Sequence, residues 1–157
     1  MGKYAPPGKS EVHFTETVSD YTSITAAEAN GGTDLTAFIR TLPDIPRTGN
    51  TVDVATLDSK FEKRQVGTRG GDVLSTEILR DDTTDTAYTT LVEDVAGYLL
   101  VARKGLATAG TFATADSLDV FPITVLSVAD GSPGRNDPDF AVVQMVVTDD
   151  PSRNQTI

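Results

Sequence analysis

The chain has 157 residues, 38% of them hydrophobic and 23% charged, which is enough to bury one core and favours a single domain. Thirteen Lys and Arg against 23 Asp and Glu give a formal charge of -10 at pH 7, which argues against attraction to nucleic acid or an anionic membrane surface. The absence of Cys excludes disulfide scaffolds and cysteine nucleophiles, and a single His excludes most histidine metal sites.

The N-terminal region predicts an arm followed by one domain. Residues 1–10 carry no hydrophobic periodicity and contain Pro6, Pro7 and Gly8 in succession, so we expect a flexible arm before a single domain at 11–157. They also lack the apolar core of a signal peptide, which predicts synthesis in the cytoplasm. A β-prone segment starts at Glu11 and runs on to Thr25, which then caps a short helical turn that ends at an Asn-Gly pair.

The middle of the chain predicts strands and a long β-hairpin. Apolar residues alternate along 34–42, which predicts a strand that ends at Pro43. Two further alternating segments, Thr51–Leu57 and Val73–Arg80, flank a stretch that is rich in charge and glycine. We therefore expect a hairpin whose tip is Gly67–Gly71.

A helix and three strands complete the predicted elements. Tyr88, Leu91, Val92 and Val95 form one apolar stripe at helical spacing, and Gly97 stands where a C-terminal cap is expected. The remaining segments read as strands, and antiparallel pairing is expected for the last two: Tyr98–Arg103, Val120–Val128 and Phe140–Thr148. The elements favour a mainly β fold, an antiparallel β-sandwich or barrel with one flanking α-helix.

The sequence offers little for catalysis. His13 has no nucleophile motif beside it and reads as a structural strand residue. Asp81, Asp82 and Asp85 suit a hard cation, but capping of the helix that follows explains them with fewer assumptions. No phosphate-binding glycine motif is present. We therefore predict no enzyme, no catalytic, cofactor or metal site, and no cofactor.

Four of the thirteen basic residues are concentrated inside the predicted hairpin: Lys60, Lys63, Arg64 and Arg69. On an otherwise acidic protein they are suited to docking onto an acidic surface of another copy. The alternative is a solvated hairpin whose charges protect its edges from aggregation. The residues alone leave both interpretations open.

Short motifs follow one another in a recognisable order between residues 11 and 157. In chain order they are Thr25–Glu28, Gly32–Thr36, Thr51–Val54, Lys60–Lys63, Leu79–Asp82, Gly97–Arg103, Phe121–Ile123 and Phe140–Val147. This order resembles that of the major tail proteins, or tail tube proteins, of long-tailed bacteriophages with non-contractile tails. These motifs reflect a fold and are not catalytic signatures.

The resemblance implies a structural virion protein, made in the host cytoplasm, that self-assembles into hexameric rings. The rings would stack into a tube through which DNA leaves the capsid without specific binding. Expected partners are further copies of the chain and other tail proteins: tape measure, terminator, and baseplate or tip. Residues 58–72 match in position a loop that reaches the neighbouring ring, which makes Lys60, Lys63, Arg64 and Arg69 candidates for inter-ring contacts.

Three other functions remain as alternatives. A tail terminator or head-tail connector would form one ring and never extend. A carbohydrate-binding β-sandwich is disfavoured by ten aromatic residues without Trp. A hydrolase with a carboxylate pair is the weakest alternative, because abundant surface acids are normally solvated.

Overall fold

A computed structural model describes residues 9–42, 45, 47–54, 56–57, 63–71 and 73–157 of the chain. Most of the predicted N-terminal arm and Lys60 lie outside these residues. The elements in the described part are β1 (Glu11–Thr15), α1 (Ala26–Asn30), β2 (Thr33–Asp34), β3 (Arg47–Asp53), β4 (Arg64–Gly71), β5 (Val73–Leu79), α2 (Thr86–Thr90), β6 (Ala96–Ala102), β7 (Ser117–Asp130), β8 (Phe140–Val147) and β9 (Ser152–Thr156).

Seven strands form one antiparallel sheet in the order β2-β1-β6-β7-β8-β5, and β9 also pairs with β7. The 14-residue strand β7 is long enough to pair with β9 near its start and with β8 over the remainder. The predicted mainly β, antiparallel fold is confirmed, as is the pairing of the last two predicted strands, β7 and β8. Among the described residues, no helix is long and apolar enough to cross a membrane.

Both faces of the sheet are covered by apolar residues. Because neighbouring side chains on a strand point to opposite faces, Leu99 and Val101 of β6 join a larger core, whereas Leu100 and Ala102 join a smaller one. The large side chains at the centre of the larger core, such as Phe14 and Phe121, are 1% exposed or less. The strand predicted at Tyr98–Arg103 is therefore confirmed as β6, and both of its faces contribute to a core.

One short segment connects the two ends of the sheet. The amide of Leu35 donates to the Val12 carbonyl on β1 at 2.9 Å, and Ile39 forms an isolated β-bridge with Ile78 on β5. The sheet therefore curls around its larger core, and residues 35–39 lie across the opening. This arrangement is compatible with the predicted sandwich and is not a closed barrel.

Two predicted strands, at 18–25 and 34–42, are turns instead. The Asp20 side chain accepts from the Thr22 amide at 2.9 Å, and the Asp34 side chain accepts from the Thr36 amide at the same distance. Such local bonds compete with a strand ladder for the backbone donors. The strand predicted from the alternating apolar residues of 34–42 is wrong, because the amides of Phe38 and Ile39 both donate to the Leu35 carbonyl in a helical turn.

The predicted helix over 88–95 is much shorter than its apolar stripe indicated. Helix α2 ends at Thr90, and Asp94 adopts a left-handed backbone with φ of 66°. Gly97 is no helix cap but part of β6, where an added Cβ would lie 2.5 Å from Cζ of Phe14. Glycine is needed there because the Phe14 ring packs directly on the backbone.

Helix α1 is the predicted helical turn, and its N-terminal cap is confirmed. Oγ1 of Thr25 accepts from the Glu28 amide at 3.3 Å, and Oε2 of Glu28 accepts from the Thr25 amide at 3.1 Å, which forms a capping box. Gly31 ends the helix with φ of -73°, so the left-handed cap expected at the Asn-Gly pair is wrong. The Ser19 hydroxyl and amide also donate to Glu28 and, with Thr25, lower its pKa to about 2.

We expect Glu28→Gln to destabilise the protein at pH 7 and to lose this effect in acid. A carboxylate whose pKa falls from 4.5 to about 2 on folding contributes stability above pH 4.5, and this contribution disappears as the pH falls toward 2. Urea unfolding at pH 7, 5 and 3 measures the difference between wild type and variant, which should narrow at pH 3. A constant difference would mean that the charge of Glu28 has no role.

Candidate functional site

Strands β3 and β4 form a hairpin outside the main sheet. Within the described part of the chain they pair with each other and with no other strand, as a separate two-stranded sheet. The Val54 amide extends the ladder by donating to the Lys63 carbonyl at 3.0 Å. Every described residue of the two strands is exposed except Gly67, which is half-buried. A two-stranded hairpin with no buried face is marginal in water, so this one needs support beyond its own fold.

The predicted hairpin exists, but its strands and tip are different. Gly67–Gly71, the predicted tip, lies within β4, and the chain reverses between residues 54 and 63 instead. Val73–Arg80, the predicted second arm, mostly forms β5, which pairs with β8 in the main sheet. The alternating burial along β5 explains why it joins the main sheet, because β5 has one apolar face to bury. The glycine-rich β4 has no such face.

Three of the four predicted basic residues lie among the described residues, in β4 or directly before it. Lys63 and Arg64 lie at the outer end, where Arg64 is directly opposite Asp53 in the register, and Arg69 lies toward the base opposite Gly49. All three are exposed. Between Arg47 and Gly71, five basic and three acidic residues give the hairpin segment a formal charge of +2, which leaves -12 for the rest of the chain.

Exposed apolar side chains accompany these charges. Val52 on β3 is 52% exposed and Val66 on β4 is 71% exposed, and Leu57 is fully exposed in the reversal. Scattered apolar side chains are normal on a surface, but three on one small hairpin without a core give it both apolar area and charge. This combination is typical of a contact surface.

The base of the hairpin borders a groove of about 590 Å³ between β4 and the segment that follows β8. Arg47 reaches across to Asp150, with Nη2 and Oδ1 2.7 Å apart, and Arg69 and Arg153 also line the groove. At Gly71 an added Cβ would lie 3.0 Å from Cβ of Val147, so the hairpin base packs closely on β8. These contacts fix the base of the hairpin to the segment around the end of β8, while the outer end of the hairpin is exposed to solvent.

Asp85, the last of the three aspartates that precede α2, forms an ion pair and does not cap the helix. Asp85 is at the N-cap position in a left-handed conformation and makes no side-chain cap bond. Its Oδ2 lies 2.6 Å from Nη2 of Arg80, and this bond keeps the pKa of Asp85 below its usual value. The Arg80 guanidinium also stacks 3.6 Å above the Tyr88 ring. The predicted capping role is therefore wrong for Asp85, whose carboxylate forms an ion pair with Arg80 instead.

His13 is the strand residue that the sequence predicted. It lies on β1, is 3% exposed, and contacts the ring of Phe112 edge-on with centroids 4.7 Å apart. Its Nε2 is 3.2 Å from Oε2 of Glu11 and 3.6 Å from Oδ1 of Asp34. The sequence did not predict these carboxylate neighbours, because the pairing of β1 with β2 is a tertiary feature.

The family described as phage tail tube protein matches residues 3–157, which is nearly the whole chain. The chain belongs to this family. It is accordingly a structural protein of the virion tail and not an enzyme, as the order of motifs predicted. No protein of curated function shows significant sequence similarity to it.

Solved structures with the same fold come from phage-like tails. A chain of the anti-feeding prophage baseplate, a cryo-EM structure with 6-fold symmetry, superposes with a TM-score of 0.58 at 10% identity over 95% of both chains. Chains from the tail of an empty gene transfer agent particle, refined with C6 symmetry, and from the native gene transfer agent virion give TM-scores of 0.51 and 0.50. Both are 17% identical and cover 80% of this chain and 90% of their own.

Proposed function

We propose that this tail tube protein forms hexameric rings, and that the rings stack into the tube through which phage DNA reaches the host. The observation that carries the proposal is the β3–β4 hairpin, which exposes both faces, three apolar side chains and a local positive charge on an acidic subunit. A contact with a neighbouring subunit would bury this surface. The sixfold symmetry of the gene transfer agent tail supports six subunits per ring.

The hairpin is proposed to make the contact between rings. Lys63, Arg64 and Arg69 would face an acidic surface of the adjacent ring, and Lys60 is proposed as a fourth contact on sequence position alone. Opposite charges fix register and orientation when two surfaces meet, while the apolar side chains supply the burial. The charge of -12 outside the hairpin provides acidic area for such a partner surface.

Contacts within a ring are proposed at the edge of the main sheet. Among the described residues, the outer edge of β5 is paired at Glu77–Leu79 by residues 38–40, which leaves Val73–Thr76 for a strand of the next subunit. Val73 is 47% exposed at this edge. Ring closure removes open sheet edges, which otherwise favour aggregation.

The acidic excess would serve passage of DNA. Phosphates bind tightly where Lys and Arg neutralise them, so a carboxylate-rich lumen lets the duplex move without adhering. DNA would therefore pass through the lumen as cargo and would not be a bound ligand. Tape measure, terminator and baseplate proteins are the further partners it implies.

Negative-stain electron microscopy of the purified protein across concentration and salt tests this function. We expect tubes of stacked rings at high concentration and low salt, with shorter tubes at 1 M salt because screening weakens the charged contacts. Single rings that never extend would indicate a terminator or connector. Monomers under every condition would contradict self-assembly altogether.

A further inference from the structure

Three ligand-type side chains meet on the β1–β2 pair, away from the hairpin. Glu11 and His13 are two residues apart on β1 and therefore share a face, and Asp34 of β2 is the direct register partner of His13. Nε2 of His13 lies 3.2 Å from Oε2 of Glu11 and 3.6 Å from Oδ1 of Asp34. One ligand atom from each residue lies within 4.8 Å of the other two.

The cluster is largely buried. His13 is 3% exposed and Glu11 is 8% exposed, while the side chain of Asp34 is 47% exposed and leaves one side open to solvent. The Gly110 amide donates to both carboxylate oxygens of Glu11, at 3.0 and 3.1 Å. Gly110 has φ of 77°, so this close approach of the 107–112 loop depends on glycine. A cation bound here would offset the charge of the two carboxylates beside the buried imidazole.

We propose that Glu11, His13 and Asp34 bind a divalent transition-metal ion, with Zn²⁺ as the best chemical match. Zn²⁺ takes imidazole nitrogen and carboxylate oxygen at about 2.0–2.2 Å, which places tetrahedral ligand atoms about 3.3 Å apart. The two measured separations from Nε2, 3.2 and 3.6 Å, lie close to this value. Water at the open side of Asp34 would complete the coordination.

The surroundings of the site suit a metal. The Gly110 amide orients the Glu11 carboxylate, in the way that outer hydrogen bonds commonly fix metal ligands. The bound ion would tie β2, which is only two residues long, to β1 and stabilise this edge of the sheet. The role proposed for the ion is therefore structural.

Zn²⁺ titration of protein prepared without a histidine tag tests the proposal. Because His13 is the only histidine, its ring resonances in NMR report on this site without ambiguity. Asp34→Asn removes one ligand at a partly exposed position and should leave the fold intact. Asp94→Asn is the matched control, because it makes the same charge change at an exposed aspartate outside the cluster.

We expect one Zn²⁺ per subunit, a shift of the His13 ring resonances, and an affinity at least about tenfold weaker in Asp34→Asn but unchanged in Asp94→Asn. Unmoved His13 resonances would overturn the proposal, as would equal affinity in wild type and Asp34→Asn. The absence of saturable Zn²⁺ binding would also overturn it.

Discussion

Lys63→Glu combined with Arg64→Glu is expected to abolish tube growth while the subunit stays folded. The two substitutions reverse charge at the outer end of the hairpin, where both side chains are exposed. If this end faces an acidic surface of the next ring, like charges would oppose each other at every interface, at a cost of several kcal/mol. Electron microscopy and sedimentation measure the polymer fraction, which should fall at least tenfold.

Two further variants separate the hairpin from a general charge effect. Lys104→Glu with Arg135→Glu adds the same negative charge at exposed positions outside the hairpin, and should polymerise like wild type. Lys63→Glu alone leaves Arg64 opposite Asp53, and should weaken growth without disturbing that cross-strand pair. Normal tubes from the double hairpin variant would remove the hairpin from the interface.

Phe14→Ala is expected to lower the free energy of unfolding by about 3–5 kcal/mol. Phe14 is 1% exposed on β1, belongs to the larger core, and fills the space left by Gly97 on β6. Its loss leaves a cavity between these two paired strands, and a whole domain is stable by only about 5–15 kcal/mol. Urea denaturation measures the change.

Val52→Ala is the matched control for the core substitution. Val52 is 52% exposed on the hairpin, so its truncation should change the stability of the subunit by no more than about 0.5 kcal/mol. If the hairpin forms inter-ring contacts, Val52→Ala should instead reduce polymerisation. A stability loss for Phe14→Ala as small as that of the control would contradict the assigned core.

The strands with one or two apolar faces were predictable from the sequence. β6, β7 and β8 carry continuous or alternating apolar residues, and most of these apolar residues are buried in the sheet. The glycines and charges of residues 58–72 predicted a hairpin there. Which strands pair with each other, however, depends on whether each strand has an apolar face to bury. β5 buries one and joins the sheet, whereas β4 buries none and pairs with β3.

The errors came from side chains that satisfy the backbone locally. Asp20 and Asp34 accept bonds from amides two residues ahead and turn the chain where the sequence predicted strands. The Asp85 carboxylate bonds to the guanidinium of Arg80, five residues earlier, and makes no bond to the first amides of α2. The cluster around His13 was equally hidden, because the sequence separates Asp34 from it by 21 positions and only the β1–β2 pairing brings them together.

Cryo-EM of the purified, assembled protein with helical reconstruction would show directly where the hairpin lies in the tube. We expect sixfold rings stacked into a tube, with the β3–β4 hairpin of each subunit lying against the adjacent ring and the acidic surface lining the lumen. A reconstruction in which the β3–β4 hairpin points into solvent, or a preparation that contains only monomers at high concentration and low salt, would contradict this expectation.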